Sequence, residues 1–195
     1  MALFYVGYVL VVSSTIAFIL AILTPRWIYP NVTSVSPSAN ASNYQGIFFV
    51  NLIANNNTCS DWILTYKDSI ANCRPPYAVA CAALSIVASS LSIILLWLAG
   101  GYLYIRRRRL APHFVTFLAG LTLFIFFTTA VIWIVMLTMN RDGDMKIYRD
   151  NIGFSLWIAV GASGGYLLAF ILFVLYRIDI GHRRYLKDMD YTRRF

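Results

Sequence analysis

Four uncharged, mostly apolar runs alternate with polar segments along the chain. The first, Ala2 to Thr24, holds 23 residues; Tyr77 to Ile105, His113 to Met139 and Asn151 to Tyr176 follow with 29, 27 and 26. About 20 helical residues cross the hydrocarbon core of a bilayer, whereas a transmembrane strand needs about 10 with period-two alternation, which these runs lack. The pattern predicts one tetraspan domain, 1–195, with transmembrane helices at 2–24, 77–105, 113–139 and 151–176. Loops 25–76, 106–112 and 140–150 and a tail, 177–195, connect and complete them. The first run is read as a retained span: Met-Ala-Leu-Phe-Tyr has no basic n-region, the run is long, and no small-x-small site precedes Pro25.

Trp27 to Cys73 is the one long polar segment. Within it, Tyr44 to Ile53 concentrates aromatic and β-branched residues, and Ile28, Val32 and Val35 mark a weaker strand interrupted by Pro and Ser. The expectation is a small antiparallel sheet, which is marginal alone at two or three short strands. Cys59 and Cys73 bear on that: a bridge closing the 13 intervening residues contributes roughly 3 kcal/mol by loop-entropy arithmetic. The alternative is two free thiols. Cys81, inside the second span, reads as a small buried apolar residue.

Composition agrees with a membrane protein: 59% hydrophobic residues, 12% charged and a mean hydropathy of +0.67. The net charge of +8 is explained by topology, because the cations lie between the spans. Ten of the 16 basic residues, including Arg106, Arg107, Arg108, Arg109, Arg183 and Arg184, fall in the 106–112 loop and the tail, giving that side +7 against +1 for the other. By the positive-inside rule both termini are cytoplasmic, and loops 25–76 and 140–150 are extracellular. Sequons at Asn31, Asn40 and Asn56 point the same way, since glycosylation requires the lumenal face. On the oxidising side the cysteine pair is expected to be bridged. The Trp27 ring is expected at the membrane interface beneath the sheet, fixing the exit from the first span.

The spans contain no Asp, Glu, Lys or Arg, which argues against a pump, a coupled transporter or a voltage sensor. His113 and His182 lie among cytoplasmic arginines, far in sequence from the external cysteines. No metal-ligand spacing, nucleophile and base pair, phosphate loop or Cys-x-x-Cys is present. The expectation is a non-enzyme without metal or cofactor.

Small residues mark the fourth span, with Gly161 and Gly165 in a Gly-x-x-x-Gly and Ala159 and Ser163 beside them; Ala and Ser also crowd the second span. They serve either packing within the bundle or docking of a partner's transmembrane helix. The basic clusters likewise have two readings, topology anchors or binding of anionic, phosphoinositide-type lipids of the inner leaflet. Nucleic acid is not expected, because no folded cytoplasmic domain presents the cations.

Four spans with a short cytoplasmic loop, Pro25-Arg26-Trp27 opening a large first loop, Gly46-Ile47-Phe48 and a cysteine pair before the second span together resemble the claudin superfamily. That superfamily includes the peripheral myelin, epithelial membrane and lens membrane proteins and the channel gamma subunits. The chain is similar to a divergent member: Phe48 stands where Trp is usual, and the cysteines are more widely spaced. Lys146-Ile147-Tyr148 leading into Gly153 and Phe154 resembles the epithelial membrane and junction-associated branches. The resemblance implies a left-handed four-helix bundle carrying an extracellular antiparallel sheet that serves contacts between membrane proteins at the plasma membrane and its cell junctions. Two functions follow, an organiser of cell–cell contact or adhesion, and an auxiliary subunit of a channel or receptor. The first loop is near neutral, offering no charged ring for a paracellular pore. Its three sequons oppose the dense packing of sealing strands, and Thr192-Arg193-Arg194-Phe195 is not a PDZ ligand. Contact organisation is favoured.

Overall fold

The computed structural model describes residues 2–27, 44–54, 57–62, 76–104, 112–139 and 152–192. In chain order these form α1 (Ala2–Leu23), β1 (Tyr44–Gln45), β2 (Phe49–Ala54), β3 (Asn57–Trp62), α2 (Pro76–Tyr104), α3 (Pro112–Met139) and α4 (Phe154–Thr192). All four helices are long and apolar enough to cross a membrane, and the chain is a multi-pass membrane protein.

The helix boundaries have local causes. Both α2 and α3 open on proline, whose fixed φ suits a first helical residue and whose missing N–H has no intrahelical partner to lose there. α1 ends at Leu23, because Pro25 disfavours helical backbone at Thr24. Thr24 then closes the helix: its N–H donates to the Leu20 carbonyl (3.1 Å) and its Oγ1 to the Leu20 and Ala21 carbonyls (2.9 and 3.0 Å). Carbonyls that would otherwise face the membrane without a donor are thereby satisfied inside the protein.

α4 departs from expectation at both ends. It starts at Phe154, not Asn151, where the Gly153 N–H is held by the Trp27 carbonyl of the segment leaving α1, and it runs past Tyr176 to Thr192 as one helix of 39 residues. No proline follows Tyr176, and Arg183 Nε donates to Asp179 Oδ1 (3.0 Å) one turn back, so nothing in the sequence stops the helix where the apolar run ends.

The helices close a ring in which α1 packs most extensively on α4, α4 on α3, α3 on α2, and α2 more lightly on α1. Two apolar cores fill it. One lies where α1 ends and α2 begins, and includes Phe18, Trp27, Ile47, Cys81, Ile132 and Leu156. The other lies at the opposite end, where the Phe4 ring packs at a tilt against Tyr102, Phe173 and Tyr176 with ring centroids 4.6, 5.1 and 5.3 Å away. Ring pairs at such distances add to the burial of the rings themselves.

Between the cores is a layer of hydroxyls. The fully buried Tyr166 of α4 donates to Ser92 Oγ of α2 (2.9 Å) and lies 3.0 Å from Thr15 Oγ1 of α1. Ser92 and Thr15 also donate to the Ala88 and Val11 carbonyls of their own helices (2.7 and 2.8 Å). Tyr166→Phe therefore removes the links between helices while leaving both smaller hydroxyls an acceptor. The expected cost is about 1 kcal/mol, in the range of interhelical hydrogen bonds in membranes, read as a small fall in unfolding midpoint in mild detergent. A loss as large as a core truncation would show that Ser92 and Thr15 depend on Tyr166 for their donors.

The sheet has the order β1-β2-β3, antiparallel throughout. The composition of Tyr44 to Ile53 predicts one continuous strand, but the chain turns within it. Gln45 pairs with Val50, and the Gly46 N–H donates to the Phe49 carbonyl (2.8 Å), leaving Ile47 and Phe48 as a two-residue hairpin loop. β2 then pairs with β3 from Phe49↔Trp62 to Ala54↔Asn57, with Cys59 opposite Leu52. β3, rich in polar residues, carries little strand propensity of its own; its place is set by this pairing. The weaker strand expected at Ile28, Val32 and Val35 lies outside the described residues.

Candidate interaction site at the junction of sheet and bundle

One locus joins the sheet-bearing segment to the helices, and the sequence motif residues meet there. After Thr24 the chain passes through Pro25, Arg26 and Trp27 across the end of the bundle. The Trp27 ring is fully buried, and its Nε1 donates to the Ala21 carbonyl (2.6 Å). This corrects the expectation of an interfacial ring: Trp27 lies within the protein, filling the core and supplying a donor to a carbonyl at the end of α1. An indole N–H that must be satisfied when buried and a helix end with spare acceptors answer each other.

The hairpin loop packs into the same place. Ile47 is fully buried in the core with Trp27, and Phe48 lies partly buried against it. Gly46 sits on Pro25: a Cβ at residue 46 would come 2.8 Å from Pro25 Cα and 3.2 Å from its carbonyl carbon and oxygen. Backbone φ at Gly46 lies outside the left-handed region, so glycine is required there by space. The close approach of two backbones is what the residue permits.

α4 is tied in from the other side. The Gly153 N–H donates to the Trp27 carbonyl (2.9 Å) and the Ser155 N–H to the Arg26 carbonyl (3.4 Å), while the Ser155 and Thr24 hydroxyl oxygens lie 2.7 Å apart, within hydrogen-bond distance. Two N–H groups at the start of α4, which have no intrahelical acceptor, are thus satisfied by carbonyls from the segment leaving α1. A Cβ on Gly153 would overlap the Arg26 carbonyl oxygen. The role of Gly153 is invisible to a single sequence, since the contact spans more than a hundred positions; the local hint is a glycine directly before a long apolar run, where a Ser, Thr, Asp or Asn cap is usual.

The other sequence-marked residues divide clearly. Ala159 and Ser163 are buried inside the bundle. Gly165 receives the Ser14 side chain of α1, whose Oγ a Cβ would overlap, while Gly161 is exposed with no described atom within 4 Å of a Cβ. The Gly-x-x-x-Gly pair is therefore split: Gly165 serves packing within the chain and Gly161 does not. Cys81 is buried, 1% exposed, and unbridged. Cys59 lies on β3. Its expected partner Cys73, the sequon residues Asn31, Asn40 and Asn56, and Arg106, Arg107, Arg108 and Arg109 lie outside the described residues. Arg183 and Arg184 fall on the extension of α4 beyond its apolar run.

The site has the character of a mechanical joint. Its described polar contacts are between backbone carbonyls, amides, two hydroxyls and one indole, all fixed by packing, and they hold a sheet on the end of four helices. Compared with known protein families and with curated proteins, the chain matches none of them.

Proposed function

We propose that this protein is a claudin-like tetraspan that organises cell–cell contact or adhesion without catalysis, through an extracellular sheet held on the end of its helix bundle. The observation that carries this reading is the junction itself. Trp27, Gly46 and Ile47, the residues on which the family resemblance rests, converge with Gly153 on one packed joint. A sheet so short is marginal alone, and a joint that fixes it to the bundle is what a surface for contact with other membrane proteins requires. In this reading both termini are cytoplasmic, the Arg106–Arg109 cluster faces anionic lipid, and the protein resides at the plasma membrane with enrichment at cell borders.

A second reading, an auxiliary subunit of a channel or receptor, is favoured by one observation. Gly161 and Gly164 on α4 have no described atom within 4 Å of a Cβ, so packing among the described residues does not explain why they are small, and a partner's transmembrane helix is able to approach closely there. Enrichment at cell borders supports the first reading. Co-purification with a channel in mild detergent, away from borders, supports the second.

The bridge between Cys59 and Cys73 separates the two by a direct experiment. The helices satisfy their own backbone groups and insert with or without it, whereas the sheet loses roughly 3 kcal/mol of loop constraint. Replacing both cysteines by serine is expected to leave four spans in the membrane, to reduce surface biotinylation, and to reduce partner recovery per surface molecule. Unchanged recovery per surface molecule would place binding in the helices. A tag near Ser38 reached on intact cells and an epitope at Phe195 reached only after permeabilisation check the orientation in the same experiment.

A further inference from the structure

Beyond its apolar run, α4 becomes a two-sided helix whose uncharged side is turned away from the bundle. Residues 177–192 add about 24 Å to it at 1.5 Å per residue. With 3.6 residues per turn, Ile178, His182, Tyr185, Leu186, Met189 and Thr192 occupy backbone positions on one arc about 120° wide, and all seven charged residues of the segment fall outside it. Ile180, at the opposite position, packs against the core at that end of the bundle, whereas Ile178 on the arc is 60% exposed.

We propose that α4 pairs in parallel with α4 of a second copy of this chain, along a seam that begins in the membrane and continues through the extension. The arc prolongs a line already present in the span. Steps of four and three residues in turn lead from Trp157 to Gly161, Gly164 and Leu168, and the same alternation runs on through Ile178 and His182 to Met189. An average step of 3.5 residues keeps one line against a partner when two helices wind around each other with a left-handed twist. Trp157, Gly161 and Leu168 on that line are exposed, and a Cβ on Gly161 or Gly164 would meet no described atom within 4 Å.

Lipid covers such a line inside the membrane, but not beyond it. An amphipathic helix that lies on a membrane surface buries its apolar side there. The extension of α4 is barred from doing so, because it is one uninterrupted helix with the span and leaves the membrane in the span's direction. Its charges stand outside the hydrocarbon, so the uncharged arc between them faces water unless another helix covers it. That helix has to cross the membrane beside Gly161 and reach about 24 Å past it. Of the four described helices, with 22, 29, 28 and 39 residues, only α4 is that long. A second copy inserted in the same orientation presents it in parallel, with each position of the seam opposite its equivalent. Gly161 and Gly164 then face their counterparts, where the two backbones approach closely. No Asp, Glu, Lys or Arg falls on the line, so like positions meet without repulsion. The inference is independent of what the sheet contacts, and it gives the open face of α4 to a second copy in place of a different membrane protein.

The test uses the full chain with no other protein, reconstituted in phosphatidylcholine vesicles over a range of protein-to-lipid ratios. Energy transfer between donor-labelled and acceptor-labelled copies is expected to stay above the level of random encounter on dilution. Gly161→Leu, which meets no described atom of its own chain, is expected to weaken the association about tenfold. Gly120→Leu, equally open on α3, is expected to leave it unchanged. Mild oxidation locates the seam, since two thiols join only where their Cα atoms come within about 7 Å. Over the wild-type background, Ile178→Cys is expected to form about ten times more disulfide-linked dimer than Arg183→Cys, at an exposed position off the arc. Energy transfer at the random level, equal weakening by the two leucine variants, or equal linkage at 178 and 183 would each overturn the proposal; the first would leave the face to a helix of another protein.

Discussion

Trp27→Ala is expected to destabilise the protein by about 3–5 kcal/mol, the usual cost of truncating a fully buried aromatic residue. The substitution empties the largest fully buried side chain among the described residues from a core shared by all four helices and the hairpin loop, and it removes one donor to the Ala21 carbonyl. Trp27→Phe separates the two effects. It keeps most of the ring volume and loses the N–H, and because Thr24 Oγ1 also donates to Ala21, that carbonyl keeps a partner. The phenylalanine variant should therefore lose only about 1 kcal/mol beyond the small change in volume. Denaturation of both variants in mild detergent decides the matter. Equal losses would assign the role of Trp27 to its hydrogen bond, and no loss in the alanine variant would show that the joint is not built on this ring.

Gly153→Ala carries the second large effect, from a single added methyl group. Overpacking costs 1–3 kcal/mol where side chains can yield, but the atom in the way is the Arg26 carbonyl oxygen, which belongs to the backbone that also bonds the Ser155 N–H. The methyl group forces α4 away from the segment leaving α1 and stretches the bond from the Gly153 N–H to the Trp27 carbonyl. The expected loss is about 3 kcal/mol, at the top of that range, with Gly46→Ala against Pro25 close behind. Gly161→Ala, which meets no described atom, is expected within about 0.5 kcal/mol of wild type. Unfolding midpoints of the three variants, measured together, give the order. A Gly153 variant as stable as the Gly161 variant would remove the joint from any account of how the sheet is held.

The four spans were legible because an uncharged run of more than 20 residues has few other uses, and the structure places a helix on each. What escaped the sequence depended on contacts between distant segments. Tyr44 to Ile53 has the composition of one strand, yet it turns at Ile47 and Phe48 without an Asn-Gly or Asp-Gly signal, because Gly46 is pressed on Pro25 and Ile47 is drawn into the core. Trp27 has the composition of an interfacial anchor, and only the position of the Ala21 carbonyl shows that its ring turns inward. Gly161 and Gly165 are equivalent in the sequence motif; the neighbouring Ser14 distinguishes them. The extension of α4 was local information, a helix with no stop signal, obscured by reading the end of the apolar run as the end of the helix.

That extension makes α4 a continuous rod. It is pinned near its first turn, where Gly153 and Ser155 bond the carbonyls of Trp27 and Arg26, and again at the opposite end, where Phe173 and Tyr176 are packed in the second core. At 1.5 Å per residue its 39 residues span about 58 Å, so the joint and that core are coupled through one element. A strain at the joint is carried along the helix to the second core and on toward Thr192, with no intervening loop to absorb it.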